Sequence, residues 1–66
     1  MSMHLLERKA RELSKEEFPG LPPKEKTVLD REVITYLIVN CVSMPEAFER
    51  VTQDKKDYYR NLSEEV

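Results

Sequence analysis

Apolar residues recur along the first seventeen positions at the spacing of a helix. Met3, Leu6, Ala10 and Leu13 are three or four apart and share one face, while Glu7, Arg8, Lys9, Arg11, Glu12, Lys15 and Glu16 fill the others. The pattern predicts a helix over about 3–17. Ser2 stands where a hydroxyl can accept from a free first-turn amide. Glu7 precedes Arg11 by one turn, the favourable order for an i,i+4 pair. The periodicity stops at Phe18-Pro19-Gly20-Leu21-Pro22-Pro23, which holds three of the prolines and the only glycine. Each proline disfavours helical backbone at the residue before it, so 18–23 reads as a turn. Phe18 and Leu21 are large and apolar and are expected to fold back onto the core. Pro19 and Pro22 also have PxxP spacing, a weak match to a proline-rich ligand.

From Val28 to Val42 the pattern changes. Val28, Leu29, Val33, Ile34, Tyr36, Leu37, Ile38, Val39, Cys41 and Val42 are apolar and, wound as a helix, cover nearly the whole circumference. The density of β-branched residues also suits a strand. A strand needs a partner, and no second strand pattern exists in the chain, so only a ribbon between two copies would serve. The helix is preferred, over about 27–42. Pro23 suits a first helical position, and Thr27-Val28-Leu29-Asp30 has capping-box form. A helix apolar all round should be buried all round, which makes it the centre of the fold.

Ser43-Met44-Pro45-Glu46 marks the next start: a capping hydroxyl, a proline in the first turn and an acid three residues after the cap. Met44, Ala47, Phe48 and Val51 then share a face, which predicts a helix over about 44–53. Asp54 and Asp57 offer a second cap before Tyr58, Tyr59, Leu62 and Val66. A break near Thr52-Gln53-Asp54 is preferred to one long helix, since continuity would put Lys55 in the apolar seam; the last helix is then about 55–64. The expected architecture is an all-α bundle of three or four short helices around the central apolar helix, one small domain over 1–66. Its expected core is Leu6, Leu13, Phe18, Leu29, Val33, Leu37, Cys41, Met44, Phe48, Val51 and Leu62.

Size and charge narrow the function. Sixty-six residues with 36% charged side chains leave little core to stabilise a fold, and less to build a pocket. A self-contained enzyme is not expected. Eleven Lys and Arg against thirteen Asp and Glu give a formal charge of −2, so no whole-domain footprint for nucleic acid is present. Cys41 is the only cysteine, which excludes an internal disulfide and fits a reducing, cytoplasmic setting. The first residues become charged too early for a signal-peptide core. The longest apolar run, Val33 to Val42, is short of the about 20 residues a spanning helix needs, so no membrane association is expected.

Candidate chemistry is sparse. His4 is the only histidine, with no second His or Cys at ligand spacing, so neither metal nor cofactor is expected. Cys41 sits in the most apolar segment, where a packed thiol is the expectation and a reactive one is not. Glu16-Glu17 and Glu64-Glu65 are adjacent in sequence and diverge on a helix, so they read as solvated ends. Arg8, Arg11 and Lys15 form a basic stripe, interleaved with Glu7, Glu12 and Glu16 and read as salt-bridged surface. Leu29 to Gln53 could form a helix-turn-helix, but Met44 to Gln53 has one Arg and two Glu, against the basic second helix of DNA readers.

Two contact surfaces stand out. Ile34, Ile38 and Val42 exceed what so small a core can hide, and would form a homodimer seam or a partner groove. Lys55, Lys56, Tyr58, Tyr59 and Arg60 place cations beside two aromatics that cannot both face one core, being about 100° apart. One tyrosine should be exposed.

Lys26 to Glu64 also slightly resembles the theta subunit of bacterial DNA polymerase III, a small helical protein that binds the proofreading subunit. The shared features are a helix running into Met44-Pro45, then Glu49 and Val51, then Arg60 in a last helix. The first helix and the proline-rich turn have no counterpart there. The resemblance implies an accessory subunit of a replication enzyme. The leading expectation is a non-catalytic interaction module, an adaptor or an inhibitor and regulator of a larger protein. A small nucleic-acid-binding transcriptional regulator, using Arg8, Arg11 and Lys15 or else Lys55, Lys56 and Arg60 beside the tyrosines, comes second.

Overall fold

A computed structural model describes residues 3–64. The expected Ser2 cap, the Met3 side chain and the Glu65–Val66 end lie outside what is described. Four helices follow one another: α1 (Met3–Glu17), α2 (Pro23–Asn40), α3 (Met44–Thr52) and α4 (Lys56–Glu64). α2 packs against both α1 and α3, and α1 also touches α3. The fold is therefore an all-α bundle with the apolar helix at its centre.

The limits of α2 show local chemistry at work. Pro22 is extended (φ −57°, ψ 146°) and Pro23 opens the helix, where its missing amide costs nothing. The amide of Lys26 donates to the Pro22 carbonyl at 2.9 Å. The helix thus starts at Pro23, the earlier of the two expected starts, and not at Thr27. Thr27 does not cap; its hydroxyl donates back to the Pro23 carbonyl at 3.0 Å, as an interior threonine does. At the other end Cys41 turns left-handed (φ 52°, ψ 46°), and the Val42 amide closes back on the Leu37 carbonyl at 3.3 Å. α2 stops at Asn40, short of Val42. This turn throws the Cys41 side chain into solvent, so the expectation of a packed core thiol is wrong.

Ser43 caps α3 as expected, its hydroxyl accepting from the Glu46 amide at 3.4 Å with Pro45 in the first turn. α3 ends at Thr52. Residues 53–55 form a turn closed by the Lys55 amide on the Thr52 carbonyl at 3.0 Å, so the break into two helices is real.

The core is built from Leu6 and Ala10 of α1, Leu29, Val33 and Ile34 of α2, Met44, Ala47 and Phe48 of α3, Phe18 and Leu21 of the turn, and Tyr59 of α4. Ala10 and Ala47 are fully buried, and their small side chains let the helix backbones approach. Burying Leu29 completely is worth about 1.5–3 kcal/mol. Phe18 sits between two rings, 6.3 Å from Phe48 and 5.5 Å from Tyr59. Phe18 and Leu21 do fold back.

Four residues expected in the core, Leu13, Leu37, Val51 and Leu62, are half-buried at its rim. The larger correction concerns α2. Val28, Ile38 and Val39 are 49%, 53% and 72% exposed. α1 and α3 cover two sides of α2, and α4 packs on Phe18 and the turn at Gly20 instead of covering the third. Ile34, in contrast, is buried, and Val42 packs against the core edge.

α4 makes few close backbone approaches to the other helices. It is held by Tyr59, which is buried against Phe18, and by the Gly20 amide, which donates to the Ser63 hydroxyl at 2.9 Å.

Candidate interaction surface

The uncovered side of α2 is the most apolar exposed feature. Lys24, Val28, Arg31, Thr35 and Ile38 follow a four-three-four-three spacing along it and are all exposed. Beside this stripe an open groove of about 480 Å³ runs between α2 and α3, lined by Arg31, Glu32, Thr35, Tyr36, Val39, Asn40 and Val51. At its edge Lys55 meets Glu32 at 3.4 Å, tying the turn before α4 to α2. Both partners are well solvated, so the pair contributes at most about 1 kcal/mol.

The segment around the two tyrosines divides. Tyr59 enters the core, and Tyr58 stays 53% exposed with its ring edge-on to Tyr59 at 5.5 Å. Burial first, and then Glu32, Glu25 and Tyr58, pushes the Tyr59 hydroxyl above its ordinary range. Lys56 and Arg60 are exposed, as is Lys55. Of the residues singled out as contacts, Ile38, Lys55, Lys56, Tyr58 and Arg60 are therefore accessible. Ile34 and Tyr59 are not, and Val42 is half-covered.

The seam between α1 and α2 holds a polar link that periodicity did not single out. Ser14 is fully buried. Its hydroxyl lies 3.0 Å from the Arg11 carbonyl and 3.2 Å from Asp30 Oδ1, so it can donate to either. Burial raises the Asp30 carboxyl above its ordinary value. The Ser14 hydrogen bond and the charges of Arg11 and Lys26 pull the other way, and Glu7 adds a smaller push up. One signal was present: Ser14 follows Ala10 by one turn on the inner face.

Arg8, Arg11 and Lys15 are exposed, and none makes an ion pair among the described residues, where the one such pair is Lys55 with Glu32. The expected salt-bridged surface is not what α1 presents. Across the bundle, the hollows between α1 and α3 carry both signs of charge: Lys9, Glu12 and Glu16 beside Met44 and Pro45, and Glu16, Glu17, Glu49 and Lys56 beside Phe18 and Phe48.

Among the described residues no group of His, Cys, Asp or Glu could hold a metal ion. Cys41 Sγ lies 3.8 Å from the Ile38 carbonyl, and His4 lines a shallow hollow with Glu7, Arg8 and Arg11. Neither arrangement pairs a nucleophile with a base. No described helix is long and apolar enough to cross a membrane. No family model, curated protein or solved structure matches this chain, so the likeness of Lys26–Glu64 to the theta subunit gains no support from them.

Proposed function

We propose that this protein is a non-catalytic protein–protein interaction module, an adaptor or a regulator of a larger protein. One observation carries the reading: Val28, Ile38 and Val39 lie uncovered on the one helix that should have been buried on every side. Scattered exposed aliphatic residues are ordinary on a monomer. Here they line one side of a single helix, beside an open groove, in a chain with little core to spare. A partner seated there would remove from water side chains that the fold itself leaves wet.

Affinity capture of the tagged protein from lysate of its own source, with and without nuclease, tests this. The expected result is a stoichiometric protein that survives nuclease. Recovery of nucleic acid alone, or of nothing above an unrelated tagged control, would contradict it.

A further inference from the structure

We infer that α4 is exchanged between two copies of the chain: α3 and α4 straighten into one helix, and Tyr59 of each copy fills the site beside Phe18 of the other. The exchange is independent of what seats on the uncovered side of α2.

The joints between the helices are not alike. Pro19, Gly20 and Pro22 separate α1 from α2, and the left-handed Cys41, the Ser43 cap and Pro45 separate α2 from α3. Both of those joints are written into the local backbone. Between α3 and α4 stand Gln53, Asp54 and Lys55 alone, and no glycine or proline occurs from Glu46 to Glu64. Gln53 keeps helical angles, φ −48° and ψ −47°. These polar side chains permit a turn without requiring one. As one helix, Met44 to Glu64 would extend about 31 Å.

The docking of α4 is what holds the chain bent at 53–55, and that docking is thin. Tyr59 is the one buried residue of α4, its ring 5.5 Å from that of Phe18. Leu62 packs at the core edge, and the Gly20 amide reaches the Ser63 hydroxyl at 2.9 Å. The Lys55–Glu32 pair is solvated. An element with few buried apolar contacts opens at a lower free energy than the whole molecule unfolds. Opening bares Phe18, and the helix that fits beside it is carried by every copy. In the exchanged pair the Tyr59 and Ser63 contacts are remade between copies, and two hinges gain helical hydrogen bonds. Against this stands the effective concentration of a helix on so short a tether, on the order of millimolar. The closed monomer therefore prevails in dilute solution, and the pair forms as the protein itself approaches millimolar concentration.

Sedimentation equilibrium of the full chain from micromolar to millimolar concentration tests this, on the wild type and on two hinge variants. Gln53→Ala with Asp54→Ala and Lys55→Ala favours the straight helix, and Gln53→Gly with Asp54→Gly disfavours it. Each pair straightens two hinges, so the propensities count twice. The dissociation constant should fall about tenfold or more in the alanine variant and rise about tenfold or more in the glycine variant. Amide hydrogen exchange at 53–56 should be slower in the dimer than in the monomer, as a continuous helix requires. Ile38→Glu added to the alanine variant should leave dimerisation unchanged. Tyr59→Ala added to it should abolish the dimer, with a melt to check that the rest is folded. An alanine variant that stays monomeric at millimolar concentration would overturn the exchange, as would equal dimerisation of the two hinge variants or a dimer that survives Tyr59→Ala. Unslowed amides at 53–56, or a dimer that Ile38→Glu abolishes, would show instead that intact monomers pair through the uncovered side of α2.

Discussion

Replacing Cys41 by glycine should stabilise the protein. Cys41 holds φ at 52°, the only positive value of a non-glycine residue among those described. A side chain in that region costs about 1–2 kcal/mol, because Cβ crowds the following carbonyl. Glycine removes that cost but loses about 0.5–1 kcal/mol of chain entropy on folding. Little packing is forfeited, since the side chain is exposed and its nearest polar contact is the Ile38 carbonyl at 3.8 Å. The net expectation is a gain of about 0.5–1 kcal/mol, or roughly 2–8 °C in Tm for a domain of this size. Urea unfolding followed by far-ultraviolet circular dichroism measures it. Cys41→Ala should be close to neutral, and Cys41→Val should destabilise, because branching at Cβ worsens the same contact. A loss of about 1 kcal/mol or more in Cys41→Gly would contradict the left-handed, exposed Cys41, being what removal of a packed side chain does. It would mean that α2 continues to Val42 with the thiol inside.

Other substitutions probe the core, the turn and the seam. Leu29→Ala should cost about 2–5 kcal/mol in the same assay, while Val39→Ala should stay within about 0.5 kcal/mol; equal effects would mean that the two sides of α2 have been misassigned. Gly20→Ala should destabilise by about 1–3 kcal/mol, because a Cβ there overlaps the Ser63 carbonyl oxygen and displaces the end of α4. Ser63→Ala should not rescue it, since the obstructing carbonyl belongs to the backbone; rescue would show that the hydroxyl alone was in the way. Asp30→Asn should melt higher than wild type at pH 7, with the gap closing toward pH 4. The folded state raises the Asp30 carboxyl, so it binds the proton more tightly than the unfolded chain does. The wild type therefore loses this contribution as pH rises through the folded value, and the amide oxygen can still accept from Ser14. A variant that melts lower at pH 7 would show that the ionised carboxylate stabilises the seam.

The helices were legible because their signals are local. Pro23, Ser43 with Pro45, and the polar run at 53–55 act within a few residues, and each marks a real boundary. Phe18 and Leu21 were legible too, since large apolar residues between prolines have nowhere else to go. What escaped the sequence was set by distant geometry. Periodicity on α2 could not say which of its apolar residues would lack a neighbour, because apolar positions lie all round it. Ile34 and Ile38 look alike in sequence, and only the placement of α1 and α3 separates the buried one from the wet one. The exposure of Cys41 follows from a left-handed turn at a residue that does not favour it, so no propensity announced it. Tyr58 and Tyr59 were expected to part, and which of them enters was decided by Phe18.

The role of the uncovered side of α2 can be tested with one double variant, Ile38→Glu with Val39→Glu, compared with wild type in nuclease-treated capture from lysate of the source. Both side chains are exposed, at 53% and 72%, so the fold should melt as the wild type does. An unchanged melt together with loss of the captured protein is expected. A variant that melts normally and still captures the same protein in the same amount would show that this side of α2 is not the surface through which the protein acts.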